Sequence, residues 1–202
     1  MPRLSRASRA AFLCSGLGDS RRPIRLFSPI ITTSSSDLHN RLKSEEAEFA
    51  FCAMKPMNEA YAVRHTETAS LVVITPAAPR FRQIGEGPFP KALFGEEPLI
   101  TRSGASTLQQ EFLRWSKLNI PDMKLRVACS VDDTETIKRL VEAGLGIAVI
   151  SEAAVISEVG DGRLLAFELT DAMPYHLYFA HKKKYLSAEQ AAFRDYVLES
   201  ES

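Results

Sequence analysis

The stretch from Asp132 to Ile150, DDTETIKRLVEAGLGIAVI, constrains the fold more than any other part of the sequence. Asp132 precedes Glu135 by three positions, a capping-box-like pattern that predicts the start of a helix. Apolar residues then recur at helical spacing as far as Gly144, which predicts the helix end. The apolar run 145–150 is typical of a strand that is buried on both faces of a sheet. This stretch therefore predicts a helix–strand unit within a layered α/β domain.

The same alternation of strands and helices runs along the whole chain. Strands are predicted for residues 24–31, 48–53, 70–75, 97–101, 125–129, 164–169 and 176–180. Helices are predicted from the hydroxyl-rich run 32–37 to about Lys43, and over residues 107–117, 152–159 and 187–198. Such alternation indicates an α/β sheet rather than a helical bundle or a β-sandwich. With 202 residues, the chain has room for one large domain or two small ones.

Residues 76–98 interrupt this alternation. They hold five of the eleven prolines and three of the ten glycines. Because proline and glycine break regular elements, the sequence predicts a crossover or linker here rather than part of the core.

Charge and hydropathy exclude two classes of partner. Lys and Arg together number 25, as do Asp and Glu, so the formal net charge is zero. A DNA-binding domain is usually strongly basic, so we expect no direct, sequence-specific DNA contact by this chain. No apolar run reaches the length of a membrane-spanning helix, so no membrane partner is expected.

Chemically reactive residues are few and scattered. The three cysteines are odd in number and far apart, which favours a reducing, cytoplasmic environment over a disulfide framework. The four histidines lack metal-ligand spacing, and no HExxH, CxxC, GxSxG or Walker motif occurs. We therefore expect no catalytic residue, no metal and no cofactor. Cys129, in a predicted apolar strand, is interpreted as a small buried residue rather than a redox sensor.

The N-terminal stretch has two interpretations. Residues 1–25 contain six arginines, no lysine and one acid, Asp19. An Arg- and Ser-rich, acid-poor composition is typical of an organelle transit peptide. The alternative is an amphipathic helix from Pro2 to about Leu13.

Residues 127–152 resemble the effector-binding domain of LysR-type transcriptional regulators. The resemblance lies in an Asp-containing turn, a helix that ends in the Ala-Gly-Leu-Gly of 143–146, an apolar strand and a following Ser-Glu pair. Other segments similar to the family follow in its order, in residues 38–51, 70–79, 97–107, 161–165, 177–179 and 185–196. The resemblance also identifies residues 2–12 as the family's first effector-domain helix, which favours the helix over the transit peptide.

The resemblance implies an α/β fold of two Rossmann-like lobes joined by two crossovers, as in periplasmic-binding proteins of type II. Residues 1–77 with 170–202 are expected to form the first lobe and residues 78–169 the second. The family's DNA-binding winged helix and its first effector-domain strand have no counterpart in the sequence, so an N-terminally truncated domain is expected.

The function implied by the resemblance is effector sensing without catalysis. A small, anionic metabolite would bind between the lobes and regulate transcription by rearranging a homodimer or homotetramer. The alternatives are a solute-binding protein of the same two-lobe fold, a non-functional regulator fragment, and an enzyme. Residues 1–22 offer no secretory signal for the first, and no acid–base or nucleophile set supports the last.

Candidate ligand contacts lie in hydroxyl-rich loops after predicted strands. Ligands of open α/β sheets bind beyond the carboxyl ends of strands, near helix starts. The predicted contacts are Thr32, Thr33, Thr75, Arg102, Ser103, Thr107 and Ser130. Capping and turn formation are the alternative role of each. If they bind the ligand, Ser103→Ala and Thr75→Val are each expected to weaken binding by about 2- to 10-fold.

Overall fold

The computed structural model describes residues 35–53, 55–104, 106–183 and 185–199. The helices of this part of the chain are α1 (Ser35–Lys43), α2 (Pro79–Arg82), α3 (Leu93–Glu96), α4 (Thr107–Asn119), α5 (Thr134–Glu142), α6 (Ile156–Gly160) and α7 (Ala188–Glu199). The strands are β1 (Phe49–Cys52), β2 (Tyr61–Ala69), β3 (Leu71–Pro76), β4 (Pro98–Thr101), β5 (Arg126–Ser130), β6 (Ile147–Ser151), β7 (Leu164–Glu168) and β8 (Tyr175–Lys182). The predicted α/β alternation is confirmed here, while the predicted strand 24–31 and the N-terminal helix lie outside the described residues.

The chain forms two compact units. Unit 1 comprises the described residues up to Thr68 and from His176 onward, and unit 2 is the continuous segment Ala69–Tyr175. The chain therefore passes from one unit to the other twice. The lobe boundaries expected after residues 77 and 169 stay a prediction.

The described residues of unit 1 form a three-stranded sheet in the order β1-β8-β2. β8 pairs antiparallel with β1, with Phe49 opposite His181. The predicted strand 176–180 is thus the centre of this sheet and has no place in the sheet that contains β5. Its neighbour β2 was not predicted from sequence, because the polar run Arg64–Thr68 lacks the apolar alternation that marks a strand.

Unit 2 contains a five-stranded sheet in the order β5-β4-β6-β3-β7. β4 pairs parallel with both β5 and β6, whereas β3 pairs antiparallel with β6 and β7. The carboxyl ends of β4, β5 and β6 therefore share one edge of the sheet, which we call the carboxyl edge. β3 runs the other way and ends at the opposite edge.

Side chains of this sheet alternate between two apolar layers, as a strand period of two requires. Leu71 and Val73 pack with α4 residues such as Phe112 and Trp115 on one face. Val72 and Ile74 pack on the other face with Ile137 and Val141 of α5. Trp115 is a packing residue, since its side chain is buried and its indole N–H donates to the carbonyl of Thr170.

Residues 76–98 contribute aromatic side chains to the core of unit 2, so the expectation of a linker outside the core is wrong. Phe81, Phe89 and Phe94 are buried in the layer that contains Trp115. The ring centroids of Phe89 and Phe94 lie 5.1 Å apart. Prolines and glycines shape the turns of this segment, but the burial of the aromatic rings determines where it packs.

The predicted helix and strand are confirmed as α5 and β6. Gly144, with φ +82°, takes the left-handed conformation that glycine favours at a helix end. The N–H groups of Gly144 and Leu145 donate to the carbonyls of Val141 and Leu140, which is a Schellman motif. Gly146 then lies against β4, where an added Cβ would be 2.3 Å from the carbonyl oxygen of Pro98.

Candidate functional site

Two helix starts meet at the carboxyl edge of unit 2. β4 and β5 end side by side, with Thr101 opposite Ser130. Ser106 caps α4 by accepting from the N–H of Gln109. Asp133 caps α5 by accepting from the N–H of Thr136 at 2.7 Å. The predicted cap, Asp132, lies one residue too early in the chain for this role.

Asp132 instead joins the loop after β5 to the loop after β4. Its carboxylate accepts from the backbone N–H of Ser103 at 2.9 Å. The guanidinium of Arg102 donates to the carbonyl of Asp132 at 2.7 Å and to the hydroxyl of Thr134. The N–H of Val131 donates to the carbonyl of Thr101. These bonds hold the two loops in one arrangement.

The electrostatics of this junction favour an ionised carboxylate. The N–H and hydroxyl of Ser103 lower the pKa of Asp132, and the charge of Arg102 lowers it further. The hydroxyl and N–H of Thr136 lower the pKa of Asp133 in the same direction. Asp132 therefore already occupies a donor that the sequence assigned to an anionic ligand.

The structure brings together some of the predicted contacts and separates one from them. Arg102, Ser103, Thr107 and Ser130 all lie on loops or element ends at the carboxyl edge. Thr75 lies near the end of β3, opposite Leu165, and so belongs to the other edge of the sheet.

The hydroxyl of Thr75 is also already engaged in a hydrogen bond within the chain. The Thr75 side chain is 0% exposed, and its hydroxyl donates to the carbonyl of Pro76. The direction of β3 explains why Thr75 lies apart from the other predicted contacts. A strand's direction within a sheet depends on its partner strands and cannot be predicted from its own residues. Thr32 and Thr33 lie outside the described residues.

Ser151 lies at the carboxyl edge but was not among the contacts predicted from the sequence. It ends β6, the strand between β4 and β3. Its hydroxyl oxygen is buried and has no hydrogen-bond partner among the residues that the structure describes. A buried hydroxyl without a partner is rare in proteins, so Ser151 joins the candidate contacts. The sequence signal was present, since Ser151 directly follows the apolar run 145–150.

The thiol of Cys52 differs from a reactive thiol. Burial raises the pKa of the Cys52 thiol to about 11, and its sulfur donates to the carbonyl of Tyr178. A thiolate is the form that oxidants and alkylating agents attack, so this environment suppresses the reactivity of Cys52.

We expect Cys52 to react with iodoacetamide at pH 8 at least about tenfold more slowly in the folded chain than in urea. The raised pKa reduces the thiolate fraction more than the accompanying gain in nucleophilicity restores the rate. The measurement uses the variant Cys14→Ser/Cys129→Ser, with N-acetylcysteine in both buffers as the control for urea. Equal rates in the two buffers would show that burial does not protect this thiol.

Two general features of the described residues bear on the function. Within the described ranges, no helix is both long and apolar enough to cross a membrane. The same residues include no group of three or more His, Cys, Asp or Glu side chains placed to hold a metal ion.

Comparison with known proteins identifies relatives of the chain. It is 25% identical over 169 residues to the RuBisCO operon transcriptional regulator of Allochromatium vinosum, covering 82% of this chain and 54% of the relative. The chain thus spans about half the length of the curated relatives that it matches.

Solved structures share the fold. The CcmR regulatory domain of Synechocystis PCC6803 in complex with 2-PG has a TM-score of 0.69 and 21% identity, covering 84% of this chain and 81% of that domain. The effector binding domain of QuiR in complex with shikimate has a TM-score of 0.65 and 17% identity, covering 84% of this chain and 78% of that domain. The predicted type II periplasmic-binding-protein-like fold is confirmed.

The sequence also matches a known protein family. Residues 29–202 match the family described as the LysR substrate binding domain. These domains bind ligands in transcription regulation and are not enzymes, as expected from the sequence. Since the match covers most of the chain, this protein belongs to the family of LysR substrate-binding domains, the effector-binding part of LysR-type transcriptional regulators.

Proposed function

We propose that this chain senses a small effector, which contacts the carboxyl edge of unit 2, for a LysR-type transcriptional regulator. The observation that carries the proposal is the junction of the two loops after β4 and β5. Asp132 and Arg102 hold these loops together, so that Ser103 and Ser130 stand at neighbouring strand ends. A preformed polar edge at strand ends suits recognition of a small molecule.

The candidate contacts supply mostly hydrogen-bonding groups. Ser103, Thr107 and Ser130 offer hydroxyls, and Ser151 adds its buried hydroxyl. Thr107 opens α4, a helix of 13 residues whose first N–H groups favour negative charge. Together with the charge of Arg102, these groups support an effector that combines hydroxyls with an acidic group.

Asp132 sets a condition on an anionic effector. Because its carboxylate accepts from the N–H of Ser103, an acidic group of the effector reaches that donor only by displacing Asp132. One N–H cannot donate a full-strength hydrogen bond to two acceptors. The acidic group of the effector and the Asp132 carboxylate would also repel each other. The Asp132 charge therefore lowers the affinity for an anionic effector, and removal of this charge would restore that affinity.

The wider role follows from the relatives. Both curated relatives are transcriptional regulators, and the chain matches about half of each. We infer that effector binding alters the assembly of a homodimer or homotetramer in the cytoplasm. DNA contact in such an assembly would be made by residues outside this chain.

The deciding experiment is calorimetry of the full chain with 2-PG, shikimate and inorganic phosphate as probes. For a probe that binds, Ser103→Ala and Ser130→Ala are each expected to weaken binding by about 2- to 10-fold, the effect of losing one hydrogen bond. Asp132→Asn is expected to strengthen binding of an acidic probe by about tenfold, because it removes the competing charge.

Two matched variants serve as controls. Thr75→Val alters a buried hydroxyl of the same sheet at the opposite edge, so binding should stay within about twofold of the parent. Asp133→Asn removes the same charge as Asp132→Asn but affects the cap of α5 instead. If Thr75→Val weakens binding while Ser103→Ala and Ser130→Ala do not, the proposed edge is wrong.

A further inference from the structure

A pair of histidines meets on the two strands that connect the units. β2 leads out of unit 1 and β8 leads back into it, and the two strands are neighbours in the sheet. His65 lies on β2, and His176 is the first residue of unit 1 on β8. Both side chains are exposed, and their ring centroids are 5.4 Å apart.

Two ring nitrogens converge on one point. His65 Nε2 lies 2.9 Å from the hydroxyl oxygen of Thr68, and His176 Nδ1 lies 3.1 Å from the same oxygen. The hydroxyl can donate to one nitrogen and accept an N–H from the other. The side chain of Tyr178 flanks both rings, with centroid distances of 5.7 Å to His65 and 6.4 Å to His176.

This arrangement matches what a transition-metal ion requires of two imidazoles. Neutral imidazole is the commonest protein ligand for Zn²⁺ and Cu²⁺, at metal–nitrogen distances of about 2.0–2.1 Å. Both nitrogens lie about 3 Å from one point, the Thr68 oxygen, so rotation of the Thr68 side chain and a small approach of the two rings would let them share an ion at that metal–nitrogen distance. In each ring the second nitrogen keeps its proton. Because both rings are exposed, water can fill the remaining coordination positions.

We propose that His65 Nε2 and His176 Nδ1 form a binding site for a divalent transition-metal ion of the Zn²⁺ and Cu²⁺ class. The site shares no residue with the candidate contacts at the carboxyl edge, since all its residues belong to unit 1. Sequence spacing could not reveal it, because β2 and β8 are separated by the whole of unit 2. A bound ion would link the outgoing strand to the returning strand.

The test is a titration of the full chain with Zn²⁺ by calorimetry. All proteins carry serine at the three cysteine positions, so that thiolates do not compete for the metal. The parent is expected to bind one ion per chain. His65→Gln/His176→Gln is expected to weaken binding by at least about tenfold, because glutamine keeps the size of the side chain but replaces the imidazole.

The chain offers a matched control in its two other histidines. His39 lies on α1, and His181 lies further along β8, where its Nδ1 is 3.0 Å from the carbonyl oxygen of Lys182. His39→Gln/His181→Gln is expected to bind Zn²⁺ within about twofold of the parent. Circular dichroism and urea unfolding without metal establish that both double variants are folded.

Copper provides a second measurement. Electron paramagnetic resonance of the Cu²⁺-loaded parent is expected to show hyperfine coupling to two imidazole nitrogens, and the His65→Gln/His176→Gln variant is expected to lack it. Equal Zn²⁺ affinities for this variant and the parent would overturn the proposal. So would the absence of stoichiometric binding by the parent, or loss of binding in the His39→Gln/His181→Gln control.

Discussion

Replacing Gly146 by alanine is expected to destabilise unit 2 by about 3 kcal/mol. The added Cβ would lie 2.3 Å from the carbonyl oxygen of Pro98 and 2.9 Å from its carbonyl carbon. Those atoms belong to the backbone of β4, which pairs with β6 directly after Gly146. A flexible side chain could move aside, but β4 can move only by weakening its hydrogen bonds to β5 and β6.

Trp115 provides the measurement for this variant. It is the only tryptophan of the sequence and is buried in unit 2, so its fluorescence during urea unfolding reports on that unit. Gly160→Ala is the control, because an added Cβ there meets nothing within 4 Å. We expect the control to change the free energy of unfolding by no more than about 1 kcal/mol. Equal urea midpoints for Gly146→Ala and Gly160→Ala would show that β4 moves aside without loss of stability.

Replacing Lys138 by methionine is expected to cost about 3 kcal/mol in the free energy of unfolding. The Lys138 amine lies 2.7 Å from a carboxylate oxygen of Glu158, and only 7% and 8% of the two residues is exposed. The amine also donates to the carbonyl of Ala154. Methionine leaves the Glu158 carboxylate buried, with Arg163 at 3.8 Å as a more distant cation.

The pH dependence of this ion pair follows from the pKa of the amine. Burial favours the neutral amine, but hydrogen bonds to Glu135 and Glu158 outweigh it and raise the pKa of Lys138. Because the pKa of the Lys138 amine is raised, the amine is charged at neutral pH and contributes to the stability of the fold. This contribution is lost only as the pH rises above the ordinary lysine range. Between pH 6 and pH 8 the amine itself should therefore add no pH dependence to the difference in stability between Lys138→Met and the parent, as measured by Trp115 fluorescence during urea unfolding.

A double variant separates the buried charge from the lost contact. Lys138→Met/Glu158→Leu is expected to recover most of the stability, because replacing both partners of a buried pair with apolar residues is often neutral. Arg114→Met is the surface control, since Arg114 is 64% exposed beside Glu111, and a change within about 0.5 kcal/mol is expected. If the double variant is no more stable than Lys138→Met, the buried carboxylate is not the cause of the loss.

Local signals made much of unit 2 predictable from the sequence. The α5–β6 unit could be identified because its acidic start, its helical period and Gly144 all act within a few residues, although the cap is Asp133 and not Asp132. β2 could not, because its polar residues lie in an edge strand that needs no apolar alternation. Phe81, Phe89 and Phe94 were hidden among prolines and glycines, which predict turns but not burial.

The candidate site was predictable only in part for a similar reason. Helix starts revealed Ser103 and Thr107 because capping chemistry is local. Thr75 was assigned to the same site because strand direction depends on partners far away in the chain. The bond from Asp132 to Ser103 likewise depends on the parallel pairing of β4 and β5.

The discontinuous make-up of unit 1 has a consequence for biosynthesis. Its central strand, β8, lies between β1 and β2 in the sheet, yet it begins only at Tyr175, when nearly all of unit 2 has been translated. On the ribosome, β1 and β2 emerge first and remain without the strand that joins them, while unit 2 has every strand of its own sheet. Domains generally fold as units as they emerge, and pairing across such a separation is slow. The nascent chain must therefore keep β1 and β2 from pairing elsewhere until translation delivers β8, and a chain released before Tyr175 could complete only the sheet of unit 2.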